Sequence, residues 1–192
     1  MYSPEVFAHI DKTVSEQAAA FNPKDISKHR VGEFGTCGGS TWRIDFNKEY
    51  AAEGVEFFNP QLPEGVWETA PDYYTQAEAW HLANDSIILI PVTSESYGIN
   101  SLGEIGFAIM HASDAKARQD VIIYIDPNLD DALVEGNEAM AKLSKSMRKL
   151  MLKHLSEFRD HDNIHIVKDL DQMLEISLEL WHNKNELNIL YA

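Results

Sequence analysis

Glu104 stands in the stretch SYGINSLGEIGFA, Ser96–Ala108, between Gly103 and Gly106 and just past the most apolar run of the chain, ANDSIILIPV. A carboxylate set among glycines has two readings. The spacing of Ser101, Leu102, Gly103 and Glu104 satisfies a capping box, with Ser101 as N-cap and Glu104 reaching back to its backbone N–H. Against that reading, Gly103 and Gly106 each cost on the order of 1 kcal/mol relative to alanine, in the very turn a capping box would strengthen. A ligand ring lying against a bare first turn accounts for the glycines, and the positive end of the helix dipole keeps the carboxylate ionised. Such a group is a nucleophile or a general base.

A second stretch with chemical potential is GTCGGSTWR, Gly35–Arg43. Gly35, Gly38 and Gly39 let the backbone approach a ligand closely, and Ser40 or Thr41 is suited to cap the helix that follows. Trp42 and Arg43 open that helix; the Arg43 fork suits a bidentate contact to a 5′-phosphate, and equally a pairing with a carboxylate at the core edge. Neither loop has the glycine pattern of a dinucleotide-binding or ATP-binding site, so no cofactor is expected. No metal is expected either. The eight histidines are scattered, and the pair His161 and His165 straddles a loop and a strand. Cys37 is the single cysteine, and DPNLDD lacks the glycine and closing glutamate of a calcium loop.

These loops need a frame, and the hydropathy pattern supplies one. Five apolar or β-branched runs, in RVGEFGTC, VEFFNP, SIILIPV, DVIIYIDP and NIHIVKDL, are each followed by a helical pattern. The alternation predicts a five-stranded parallel sheet with helices on both faces, a three-layer α/β fold of the flavodoxin or Rossmann type. Residues 4–20 read as an extra helix, so the chain divides into an N-terminal helical extension over 1–29 and an α/β domain over 30–192. In the helix around 138–158, the stripe of Met140, Leu143, Met147, Leu150, Met151, Leu155 and Phe158 reads as core, with methionines at one edge for a subunit contact. Ligands of open parallel sheets bind beyond the carboxyl ends of the strands, which is where both glycine-bearing loops fall.

The charge narrows the partners. With 31 Asp+Glu against 16 Lys+Arg, the formal charge of −15 repels a polymeric nucleic acid but leaves room for a small anion. No window reads as a membrane span and the N-terminus lacks the pattern of a signal peptide, so a soluble, cytoplasmic protein is expected, in keeping with one cysteine.

Taken in order, GTCGGSTWR, FFNPQLPEGVW, EAWHLANDSIILIPVT and YGINSLGEIGFA resemble the nucleoside 2-deoxyribosyltransferase family and its deoxyribosyltransferase-like branch, over about residues 31–126. The resemblance implies cleavage or transfer at the N-glycosidic bond of a nucleoside or nucleoside 5′-monophosphate, with Glu104 as the nucleophile. It implies an acidic partner for it at Glu78, where many relatives carry aspartate; a solvated helix face is the plain alternative for this residue. His81, one helical turn on, is a further candidate proton donor. The loops aligned with the family's substrate site contain Gly35, Thr36, Gly38, Gly39, Ser40, Trp42, Arg43, Asn59, Trp67, Ser96, Gly98 and Ser101. Of the nearby aromatics, Trp67 and Phe58 are candidates to stack a base, and Phe57 reads as core. A homodimer or larger assembly is implied. Two other functions fit the same crevice: a non-catalytic nucleotide sensor, and a glycohydrolase acting on a dinucleotide such as NAD.

Overall fold

The computed structural model of the chain describes residues 29–37, 39–61, 72–114 and 119–191. The expected N-terminal helix, Gly38 and Trp67 lie outside the described residues.

The architecture is the expected α/β one. Strands β1 (Val31–Glu33), β2 (Phe57–Phe58), β3 (Ile87–Val92), β4 (Asp120–Ile125) and β5 (Ile164–Ile166) form one sheet in the order β2-β1-β3-β4-β5. All four pairings are parallel. The helices are α1 (Trp42–Glu53), α2 (Asp72–Asn84), α3 (Ile99–Ala112), the short α4 (Asp131–Gly136), α5 (Glu138–Leu155) and α6 (Leu170–Tyr191). The strand order reverses between β1 and β3, so the crevice above their carboxyl ends is bounded by the β1–α1 and β3–α3 loops.

Strand β3 shows why the sheet is covered on both sides. All six of its residues are buried, and they alternate in destination. Ile87 and Leu89 join Val31, Trp42, Phe46, Tyr50 and Met173 beneath α1 and α6. Ile88, Ile90 and Val92 join Phe34, Leu102, Ile105, Ile109 and Leu155 beneath α3 and α5. A strand with no polar face exposes its side chains to water on neither side, and each buried Ile or Leu stabilises by roughly 1.5–3 kcal/mol. Pro91, in the same strand, lies two residues past the last β1 pair, Glu33 with Leu89, so its missing N–H leaves no partner on that side unserved.

The long amphipathic helix and the turn after it keep part of the expected stripe, with Met147, Met151, Leu155 and Phe158 packed on the core, and depart from it elsewhere. On α5 the buried line runs through Ala141, Ser144, Arg148 and Leu155, while Leu143 and Leu150 are exposed. The helix is rotated so that a polar pair, Ser144 and Arg148, faces inward to meet backbone carbonyls; the apolar count alone favours the neighbouring line.

Glu33 ends β1 fully buried against α1. With its amide nitrogen facing the carboxyl group, Asn47 donates to both Glu33 oxygens at 2.8 Å, and its oxygen accepts from Asn59 Nδ2 at 3.2 Å. Burial pushes Glu33 up to about 8, offset only in part by the Arg43 charge. Because the folded value lies above the ordinary 4.5, this carboxyl stabilises most below pH 4.5, and its contribution is lost as pH rises through about 8. The Glu33→Gln variant should therefore lose little at neutral pH and should show a flatter fall in Tm between pH 5 and 8 than the wild type. The difference in slope has an upper bound of about 1.4 kcal/mol per pH unit. Parallel Tm–pH curves for the two proteins would show that Glu33 does not titrate in that window.

Candidate functional site

The site is built outward from one close contact. Gly35 follows β1 with φ +90°, and a Cβ there would lie 2.4 Å from the Pro91 carbonyl oxygen and 2.8 Å from the Pro91 nitrogen. Only glycine fits both the left-handed backbone and the space. Thr36 holds the turn against β3, its N–H donating to Pro91 O at 2.9 Å and its hydroxyl bonding Thr93 Oγ1 at 2.9 Å. The turn aims the Gly35 N–H away from the sheet, where it donates to Glu104 Oε2 at 3.1 Å.

Arg43 fastens this turn from below. It is 2 % exposed, and its guanidinium donates to the carbonyls of Glu33 (2.8 and 3.1 Å), Phe34 (3.0 Å) and Thr36 (2.7 Å) while lying over the Trp42 ring. The Trp42 indole N–H donates to the same Thr36 carbonyl at 3.1 Å. The phosphate contact expected of Arg43 is therefore corrected: its donors are occupied by the loop's own backbone, and no face is turned to a ligand. Trp42 is likewise a buried support.

Glu104 is not the N3 residue of a capping box. Helix α3 begins at Ile99, with Gly98 at its N-cap in the left-handed region (φ 63°) and no side-chain cap. Ser101 is thus inside the first turn and buried, and Glu104 lies in the second turn. A Cβ on Gly98 would meet Val92 Cγ1 at 2.6 Å, so this glycine too is demanded by close packing. Gly103 and Gly106 have open space around them, so no internal contact explains them.

Glu78, on α2, approaches Glu104 closely enough for the two charges to interact. Burial and the Glu104 charge push Glu78 up to about 7, against the pull of Arg43. Burial also raises Glu104, but the Gly35 N–H and the Arg43 charge act on it in the opposite direction. The two half-buried carboxyls thus differ in environment: one is hydrogen-bonded by a backbone N–H, the other is pressed by a like charge. Glu78, up at about 7, is thus placed to take up or release a proton near neutral pH beside Glu104.

The remaining residues divide by what they touch. Ser40 Oγ bonds Thr93 Oγ1 at 2.9 Å and Glu95 Oε2 at 3.3 Å, Gly39 is exposed beside that loop, and Ser96 Oγ accepts from the Gly98 N–H at 3.2 Å. Asn59 is buried and its Oδ1 accepts from the Gln61 N–H at 2.9 Å. His81 is buried, its ring stacked on Phe58 at 3.8 Å and its Nδ1 2.9 Å from Asp85. Phe58 is accordingly covered, and Phe57 packs on Tyr50. Among the described residues no group of three or more His, Cys, Asp or Glu is arranged to hold a metal ion.

Two residues of this frame were not anticipated. Arg148 is fully buried and donates to the carbonyls of Val92, Thr93, Ser96 and Asp126 at 2.6–3.1 Å, joining the β3–α3 loop to the loop after β4. Thr93 is the hydroxyl node between Thr36 and Ser40. Neither carries a local signal: Ser144, one helical turn before Arg148, is one of several polar residues along that helix.

Comparison with protein-family models, with curated proteins and with solved structures returned no match.

If Arg43 is the support of the Gly35 turn, Arg43→Met, which keeps bulk and removes every donor, leaves several buried carbonyls unpaired. At about 1–3 kcal/mol per orphaned group, urea unfolding should show a loss of about 3 kcal/mol or more. A loss below about 1 kcal/mol would mean that the turn holds without it.

Proposed function

We propose that this chain breaks the N-glycosidic bond of a nucleoside, with Glu104 as nucleophile and Glu78 as the proton donor to the departing base. The observation that carries the reading is the pair itself: an oriented carboxylate held by the Gly35 N–H, next to a carboxyl pushed up to about 7, at the carboxyl ends of β1 and β3. The motif resemblance to the nucleoside 2-deoxyribosyltransferases supports the same assignment.

The step balances simply. The Glu78 proton passes to the base as the C1′–N bond breaks, and a Glu104 oxygen closes on the anomeric carbon to give a glycosyl ester. Glu78, now ionised, then takes a proton from the second nucleophile as it displaces Glu104. Water as that nucleophile makes the enzyme a hydrolase, and a second base makes it a transferase.

Charge around the loop favours an uncharged nucleoside over its 5′-monophosphate. Arg43, the loop's cation, is buried under carbonyls, and Glu95 lies against Ser40. We assign homo-oligomerisation, which the same resemblance suggests, to the outer face of α3 and α5, where Phe107 (75 % exposed), Met110, Leu143 and Leu150 present apolar side chains to water.

Incubation with a panel of nucleosides and their monophosphates, followed by chromatography for free base, tests the proposal. Glu104→Gln should cut turnover by a factor of about a thousand or more while binding persists, and Glu78→Gln by about 10²–10⁴. A 2-fluoro-2-deoxy nucleoside should leave one sugar adduct on the peptide containing Glu104. Wild-type kcat/KM should fall as pH rises through about 7, when Glu78 loses its proton, and Glu78→Gln should abolish that limb. Near-wild-type turnover in a folded Glu104→Gln protein would end the nucleophile assignment. A monophosphate that outcompetes its nucleoside would overturn the substrate preference.

A further inference from the structure

Away from the carboxylate pair, α5 turns a basic face to the loop after β4. An open groove of about 610 Å³ lies there, lined by Pro127, Asn128, Lys145, Lys149, Leu152 and Lys153. Its size is within the range of small-molecule sites. The three lysines recur every four residues, so they stack on one face of the helix, with about 6 Å of helix rise between each.

This charge is out of keeping with the rest of the molecule. Asp and Glu outnumber Lys and Arg by 31 to 16 in the chain, yet residues 139–156 contain five Lys or Arg and no acid. Like charges at i, i+4 repel along a helix, and this face has two such pairs. Among the described residues the ion pairs made by lysines engage Lys168 and Lys184, not these three, and the nearest carboxylate along the chain, Glu157, comes four residues after Lys153. The helix dipole accounts for Lys153, in the last turn, but not for Lys145, two turns earlier. The floor of the groove is fixed as well, because Arg148 donates to the carbonyls of Asp126 and Asn128 on either side of Pro127.

We propose that this groove binds a compact polyanion, a small molecule with two or more phosphate groups. Long lysine stems converge their ammonium groups on clustered phosphate oxygens as point charges, whereas the planar pairing that selects a single carboxylate is the province of arginine. The net charge of −15 repels an extended polyanion approaching from solution, which selects a ligand small enough to lie wholly within the basic groove. Pro127 and Leu152 add an apolar wall for the part of the ligand that is not phosphate. The inference is independent of the glycosidic reading.

Calorimetric titration of the full chain with pyrophosphate, adenosine triphosphate, inorganic phosphate, citrate and an acidic peptide tests it. Pyrophosphate and the triphosphate should bind, inorganic phosphate at least tenfold more weakly, and binding should weaken as salt is raised. Lys149→Glu should weaken both ligands at least tenfold, and should fold normally because the new carboxylate sits at i, i+4 from both Lys145 and Lys153. It should leave base release intact, and Glu104→Gln should leave polyphosphate binding intact. Absence of binding at low salt overturns the proposal. So does binding that Lys149→Glu leaves unchanged, or citrate or the acidic peptide binding as tightly as the triphosphate.

Discussion

The site depends on the contact between Gly35 and Pro91. A backbone with φ +90° pressed to within 2.4 Å of where a side chain would begin leaves one way for the chain to leave β1. That way turns the Gly35 N–H toward α3, where Glu104 accepts it. Strand β3 contributes the proline and the carbonyls, β1 contributes the glycine, and the helix after β3 contributes the carboxylate. The spatial neighbourhood of β1 and β3, with β2 and its helix outside, is what brings the three together.

Two buried arginines hold that arrangement by the same device. Arg43 collects carbonyls of the β1–α1 turn, and Arg148 collects those of the β3–α3 loop and of the loop after β4. Carbonyls at the carboxyl ends of parallel strands lack ladder partners once the strand ends, and a buried orphan acceptor costs about 1–3 kcal/mol. A guanidinium offers five donors in a fixed plane and satisfies several at once, which a lysine does not. Neither arginine is thereby free for an anion. They define the shape of the crevice, and their charge acts on the carboxyls from behind: Arg43 lowers the proton affinity of Glu33, Glu78 and Glu104 against the opposing effect of burial.

Acid groups placed in this way are costly to stability and useful to chemistry. Glu33, Glu78 and Glu104 are all raised by burial, yet differently, because each meets a different second influence. Glu33 faces Asn47 in a closed interior and serves packing; Glu104 meets a backbone N–H; Glu78 meets Glu104. Separation of proton affinities between two neighbouring carboxyls is the arrangement from which acid and nucleophile roles are assigned.

The sequence by itself determined the elements. Period-two and continuous apolar runs such as SIILIPV have no other home than a sheet covered on both faces, and their alternation with helical patterns settled the parallel order, since hydropathy and propensity are local properties. It also marked the two loops that border the crevice, because glycine in positions such as Gly35 and Gly98 is a local signature of unusual backbone. What the tertiary structure decided was the direction of each polar side chain. Arg43 in a first helical turn is equally suited to a phosphate and to a carbonyl, and only the return of β1 beneath it made the carbonyls its partners. Ser101 and Glu104 match a capping box in spacing, and only the packing of Gly98 on Val92 started the helix earlier and left Glu104 free to meet Gly35. The inward turn of α5 onto Ser144 and Arg148 was hidden for the same reason. Hydrogen bonds between residues 50 or more positions apart, such as Arg148 to Val92, depend on where distant carbonyls end up, and no local pattern records that.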